Sequence, residues 1–216
     1  RIGHFHLGAE MESQTNGGAL EASETLILKR IAGRAYLLMV GTIEPRKGHN
    51  QVLKAFEILW SRGVDINLVI VGSEGWVDKG TIESLKELDA KTEKIEWLNH
   101  VSDAMLKSLY QGCAGTLMAS FGEGFGLPLI EAAHYGASLI ARDLPIFREV
   151  CGDHAWYFRA QSETELASAL QEWLNLYHAS SEPKSLGVEW QDWQQSAAQL
   201  VASVIHNQWY VTEAER

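Results

Sequence analysis

The chain has 216 residues, 46% of them hydrophobic and 21% charged, with a formal net charge of −10 at pH 7. This is the composition of a globular protein with a sizeable core, and no run approaches the roughly 20 apolar residues of a membrane span. The acidic surplus argues against nucleic acid as the main partner, because a phosphate backbone needs a basic face.

Residues 1–35 read as an interdomain linker and N-terminal extension. Within them Phe5-His6-Leu7-Gly8 is extended chain, residues 13–18 are a polar, Gly-containing loop, and residues 24–31 form a short helix. The start carries neither an initiator Met nor a signal peptide, which points to an excised domain. From Tyr36 the pattern becomes regular. Residues 36–40 are a continuous apolar run, a strand buried on both faces. Val52, Ala55, Phe56, Leu59 and Trp60 then recur at helical spacing, and Gly63 ends that helix. Further strands are expected at 66–71, 95–98, 113–118, 138–140 and 155–158, with helices at 81–88, 103–110, 128–135 and 144–150 between them. This alternation predicts an α/β fold, a doubly wound parallel sheet of Rossmann-like type, over residues 36–187. Two helices follow. Residues 164–177 carry Leu166, Leu170, Trp173 and Leu174 on one stripe, and residues 189–209 form the body of a C-terminal crossover helix assigned to 188–216.

In such sheets ligands bind beyond the carboxyl ends of the strands, which puts the loops 41–48, 72–76 and 119–127 on one rim. The first is Gly41-Thr42-Ile43-Glu44-Pro45-Arg46-Lys47-Gly48. Arg46 can bind a phosphate bidentately and Lys47 acts as a point charge, so together they would neutralise a diphosphate. The loop is neither a P-loop nor a dinucleotide fingerprint, and taken alone the pair is as readily a solvated surface feature. The third loop runs from Ser120 through Gly122, Glu123, Gly124, Phe125 and Gly126 to Leu127-Pro128, which open an apolar helix containing Glu131. Glycines let a backbone approach a ligand, and a helix N-terminus presents free N–H groups to an anion. A pure phosphate cradle has no use for Glu123 and Glu131, so the two carboxylates point to hydroxyl partners. Surface glutamates are common, and a hydrolytic carboxylate pair is the alternative chemistry. Phosphate plus hydroxyls describes a nucleotide sugar. His100 and His134 are assigned no chemistry, and no His, Cys, Asp set has metal-site spacing. Trp76 is either a cover for a base or a packing residue. Cys113 and Cys151 lack C-x-x-C spacing and fit a reducing, cytoplasmic setting.

The run Glu123-Gly124-Phe125-Gly126-Leu127-Pro128-Leu129-Ile130-Glu131 resembles the E-x7-E signature of retaining glycosyltransferases of family 4. The first loop resembles the GT-x-EPRK loop of a bacterial, mannosyltransferase-like subgroup; Val69-Ile70-Val71-Gly72, Arg148-Glu149-Val150 and Gly152-Asp153 also fit, over roughly residues 36–205. The resemblance implies the C-terminal, donor-binding half of a GT-B fold. It implies transfer of a sugar with retention, without metal or resident cofactor, from a GDP- or UDP-linked donor to a glycan or lipid-linked acceptor in bacterial surface polysaccharide synthesis. Lys47 and Arg46 would stabilise the leaving diphosphate and Glu123 would meet the donor sugar near its reacting end. Glu131 would take the ribose hydroxyls, and Gly41, Thr42, Gly72 and the backbone of Gly124, Phe125, Gly126 and Leu127 would line the donor. Many relatives carry Arg at the position of Thr42, and Ala119 and Ser138 stand where prolines are frequent. The acceptor domain, and any membrane contact made through it, lies outside this chain, so the domain alone should bind donor and transfer poorly. A non-catalytic nucleotide-sugar-binding module and a nucleotide-sugar epimerase are the competing readings.

Overall fold

The computed structural model describes residues 7–9, 19–76 and 79–205. Phe5, His6, the expected loop at 13–18 and the end of the last helix lie outside the described residues. The chain divides into two compact units, one of residues 17–188 and one of residues 1–16 with 189–216.

In the larger unit, α1 (Ala22–Ile31) precedes β1 (Tyr36–Val40), α2 (His49–Ser61), β2 (Asn67–Val71), α3 (Lys79–Lys91), β3 (Ile95–Leu98) and α4 (Asp103–Gly112). Then come β4 (Gly115–Met118), α5 (Leu127–His134), β5 (Ser138–Arg142), α6 (Pro145–Cys151), β6 (Trp156–Phe158) and α7 (Glu163–His178). All strand pairs are parallel and the order is β3-β2-β1-β4-β5-β6. From β1 the chain winds outward to β3, then returns to lay β4 on the other side of β1. The doubly wound sheet is therefore as expected, with its switch point between β1 and β4.

Strand side chains alternate between faces, and the two cores follow that alternation. Leu37 and Met39 of β1 join Phe56 and Leu59 of α2, Leu85 of α3 and Leu170 and Trp173 of α7. Tyr36 and Leu38 join Leu109 and Tyr110 of α4, Leu129 of α5 and Phe147 of α6, with Ile27 and Leu28 of α1 packed alongside. With helices on both faces, each strand must be apolar throughout, which is why β1 reads Tyr-Leu-Leu-Met-Val. Local chemistry sets the helix ends. Ser102 caps α4 by accepting from the Met105 N–H at 3.1 Å, and its own N–H and hydroxyl donate to the Glu24 carboxylate of α1 at 2.7 and 2.8 Å. Pro128 and Pro145 sit in the first turns of α5 and α6.

The smaller unit contains α8 (Trp193–Ile205). It starts four residues later than the expected residue 189. Asp192 accepts from the Gln195 N–H at 2.7 Å while the Gln195 side chain accepts from the Asp192 N–H at 3.0 Å, a reciprocal cap that fixes the start. Trp190 precedes that cap. Gly8 lies against it, since a Cβ there would meet the Trp193 backbone at 2.5 Å. No helix among the described residues is long and apolar enough to cross a membrane.

Candidate functional site

The loops after β1, β2 and β4 all leave the carboxyl edge of the sheet at the switch point. The first two run side by side beyond the strands. Ile43 N–H donates to Ser73 O at 2.9 Å and Gly75 N–H to Ile43 O at 3.2 Å, with a parallel bridge between Ile43 and Glu74. A Cβ on Gly72 would sit 2.0 Å from Gly41 O, so only glycine permits this approach. Gly41 opens towards Lys47, whose Nζ would lie 3.5 Å from a Cβ at that position. Thr42 lies between them in chain order, its methyl 2.6 Å from where a Cβ of Gly75 would stand.

Pro45–Lys47 form one 3-10 turn, closed by Gly48 in the left-handed region at φ 78°. The turn meets the β4–α5 loop backbone to backbone. Phe121 N–H donates to Arg46 O at 2.7 Å, and a Cβ on Gly48 would lie 2.6 Å from Ala119 O. The two loops thereby place three charged side chains together. Lys47 Nζ donates to Glu123 Oε1 at 2.5 Å, Arg46 Nη1 to Glu123 Oε2 at 2.6 Å, and Ser120 Oγ to Glu123 Oε1 at 2.8 Å. Arg46 also holds Gly122 O at 3.1 Å and, through Nε, Glu44 Oε2 at 3.0 Å. The Glu123 side chain is only 7% exposed. Burial alone would raise its carboxyl, but the hydrogen bonds from Lys47, Arg46 and Ser120 outweigh that and hold it below the ordinary carboxylate range. Glu123 in turn raises the Arg46 guanidinium. Both cations are thus held on one carboxylate at the rim.

A family model described as "Glycosyl transferases group 1" matches residues 27–187, about three quarters of the chain. The chain belongs to the group 1 glycosyltransferase family. It is 41% identical over 203 residues to a serotype-specific mannosyltransferase WbdA of Escherichia coli, covering 94% of this chain and 25% of that protein. It is 32% identical over 136 residues to the O-antigen chain mannosyltransferase RfbU of Salmonella typhimurium, covering 63% and 37%. The chain thus spans about a quarter of the length of its WbdA relatives. Among solved structures it superposes on the N-terminal domain of Candida albicans trehalose-6-phosphate phosphatase with a TM-score of 0.70 at 15% identity, covering 94% of this chain and 49% of that one. It superposes on apo OtsA with a TM-score of 0.67 at 14% identity, covering 88% and 47%. At these identities the likeness is one of fold, the Rossmann-like half of a GT-B architecture.

In this glycosyltransferase domain Glu131 stands apart from the charged cluster. It follows the first turn of α5, which begins after Gly126 at φ 100°, and its carboxylate accepts from Tyr110 OH at 2.8 Å. Burial, reinforced by the charge of Glu131, pushes the Tyr110 phenol well above its usual value, so it remains a donor. Gly124 is exposed in the loop, Phe125 is half-buried, and Leu127 starts the helix. A Cβ on Gly124 would meet nothing within 4 Å, which leaves that backbone open to a ligand. His100 and His134 are exposed, and Trp76 is 70% exposed on the rim.

Sequence reasoning missed four residues around the site. Ser120 and Glu44 each lie within three residues of the group they hold, so the motifs themselves carried that signal. Tyr110 is 21 residues from Glu131 and only the packing of α4 on α5 joins them. His49, the first residue of α2, is buried, with Nδ1 lacking a partner among the described residues. Burial, helped by the charge of Lys47 and opposed by a backbone hydrogen bond at Glu44, takes its imidazole down to about 4.

Proposed function

We propose that the larger unit binds a nucleotide-diphosphate sugar, GDP- or UDP-linked, across the loops after β1 and β4. In the longer protein it would transfer that sugar, with retention of configuration, to a glycan or lipid-linked acceptor. The observation that carries this reading is the Glu123 carboxylate held by both Lys47 and Arg46 at the switch point of the sheet. A diphosphate entering beside Lys47 and Arg46 competes with Glu123 for them. The carboxylate so released is placed to accept from donor-sugar hydroxyls, while the two cations stabilise the charge that develops on the leaving group. Glu131, oriented by Tyr110, would accept from the ribose hydroxyls. The open backbone from Gly124 to Leu127 would supply N–H groups to the sugar and phosphate. No resident cofactor or metal enters this scheme. The names of the WbdA and RfbU relatives favour mannose as the sugar and surface polysaccharide as the product. Two free cysteines, with thiols pushed by burial to about 11 for Cys113 and about 12 for Cys151, suit a cytoplasmic location.

The test is calorimetric titration of the chain with GDP, UDP, GDP-mannose and UDP-sugars, repeated on Lys47→Ala and Glu131→Ala. One nucleotide should bind preferentially, and each substitution should weaken it by about tenfold, the loss of one charged hydrogen bond. Wild-type affinity in both variants would sink the donor-site assignment. Turnover of the donor without any acceptor would favour an epimerase instead.

A further inference from the structure

We propose that Arg142 is a positioning residue for the transfer reaction, fixing the loops that carry Lys47 and Glu123 in register with one another. The proposal rests on the donor-site reading above. Arg142 ends β5, the strand next to β4, and is 7% exposed. Its Nε donates to Ala119 O at 3.1 Å, its Nη1 to Ala160 O, and its Nη2 to Gln51 Oε1 at 2.5 Å. The ring of Phe121 lies 4.3 Å from the guanidinium carbon and that of Phe158 lies 5.1 Å away. Among the described residues no carboxylate pairs with this cation, and burial depresses its pKa.

A buried charge without a counter-ion carries a desolvation cost, which here is offset by the three acceptors that the guanidinium reaches. What Arg142 supplies is geometry. Ala119 directly precedes Ser120, whose hydroxyl donates to Glu123, and the same Ala119 carbonyl is where Gly48 lets the first loop approach. Phe121, stacked on the guanidinium, donates its N–H to Arg46 O. Gln51 lies in the first turn of α2, immediately after Lys47-Gly48-His49-Asn50. One planar group thus reaches both sides of the Lys47–Glu123 pair, through carbonyls, an amide and a ring. A methionine fills similar space but can make none of these directed bonds. A lysine keeps the charge and loses the fork that reaches three elements at once.

The experiment compares Arg142→Met and Arg142→Lys with wild type in the intact protein, each also in a Glu123→Gln background. Arg142→Met leaves the Ala119 and Ala160 carbonyls and the Gln51 amide oxygen without that donor, so it is expected to melt several degrees below wild type while still folding. Its kcat should fall about tenfold or more, as small misplacements near reacting groups do, with KM nearly unchanged. Arg142→Lys should recover part of that loss, and both changes should cost less once Glu123 is already Gln, because only the placement of Lys47 is then left to lose. Wild-type kcat in Arg142→Met overturns the proposal, as does a loss that simply multiplies with that of Glu123→Gln. A ligand-free readout separates this from the function itself. In a carboxyl 13C NMR titration, Glu123 should titrate at higher pH in Arg142→Met than in wild type, as its bonds from Lys47, Arg46 and Ser120 loosen beside Glu44. An unmoved titration overturns the proposal. If wild type neither binds nor transfers any nucleotide sugar, the donor-site reading falls, and the NMR titration still decides whether Arg142 holds the loops.

Discussion

At the scale of single residues, the site is defined by one carboxylate between two cations. Glu123 is held by Lys47 and Arg46, and the latter is shared with Glu44, so the ligand-free cluster is close to neutral. That balance makes the cations available only to a ligand that brings its own negative charge. Replacing Glu123 with Gln keeps the shape and removes the charge. In the intact enzyme it should lower kcat by about 10²-fold, the scale of losing a preorganised electrostatic partner, without weakening nucleoside diphosphate binding; kinetics alongside calorimetry check both. A loss of diphosphate affinity with unchanged kcat would assign Glu123 to binding. The pairing of Glu123 with Lys47 was only half legible in the sequence. Each lies in a recognisable loop, but at a separation of 76 positions nothing local signals that their side chains meet.

At the scale of elements, the loops work because their backbones touch. Gly48 and Gly63 both have φ 78°. A Cβ on Gly63 would meet nothing within 4 Å, whereas one on Gly48 would strike Ala119 O at 2.6 Å. Gly63→Ala should therefore cost only the left-handed penalty of about 1–2 kcal/mol. Gly48→Ala should cost more and should also separate Lys47 from Glu123. Urea denaturation of the two variants side by side isolates the steric part; equal losses would mean that the loop contact carries no strain. Glycines at these positions stand out in a sequence as turn signals, yet nothing local distinguishes the glycine that ends a helix from the one that lets two loops meet. The same holds for helix ends. The cap that Ser102 provides acts locally on α4, but its tie to Glu24, 78 residues away, belongs to tertiary structure.

At the scale of the whole molecule, stability should fall on mild acidification, and His49 is the principal reason. Its folded-state value of about 4 lies below the ordinary 6.5. Between these values the unfolded chain binds the proton and the folded one does not, so stability is full above 6.5 and is lost as pH falls towards 4. From pH 7 to pH 5 the loss is about 2 kcal/mol at 1.36 kcal/mol per unit. Urea midpoints at the two pH values measure it, and His49→Leu should flatten the difference. An unchanged pH dependence in that variant would remove His49 as the cause. Glu123, with its carboxyl held low, adds a second loss at lower pH, since its stabilisation is present above the unfolded value and disappears as pH falls through the folded one.

Strand and helix alternation, the parallel sheet, the loops that share one rim and the family were all determined by the sequence. They depend on period, on glycine and proline placement, and on short motifs, all of which act within a few residues. Tertiary structure decided which groups share the site. The sheet order placed the β1 and β4 loops on either side of one switch point. Packing of α4 on α5 brought Tyr110 to Glu131. The end of β5 delivered Arg142 beneath the Gly-rich loop. Those contacts depend on distances between residues far apart in the chain, and hydrophobic pattern cannot encode a hydrogen bond between elements it only tells to pack.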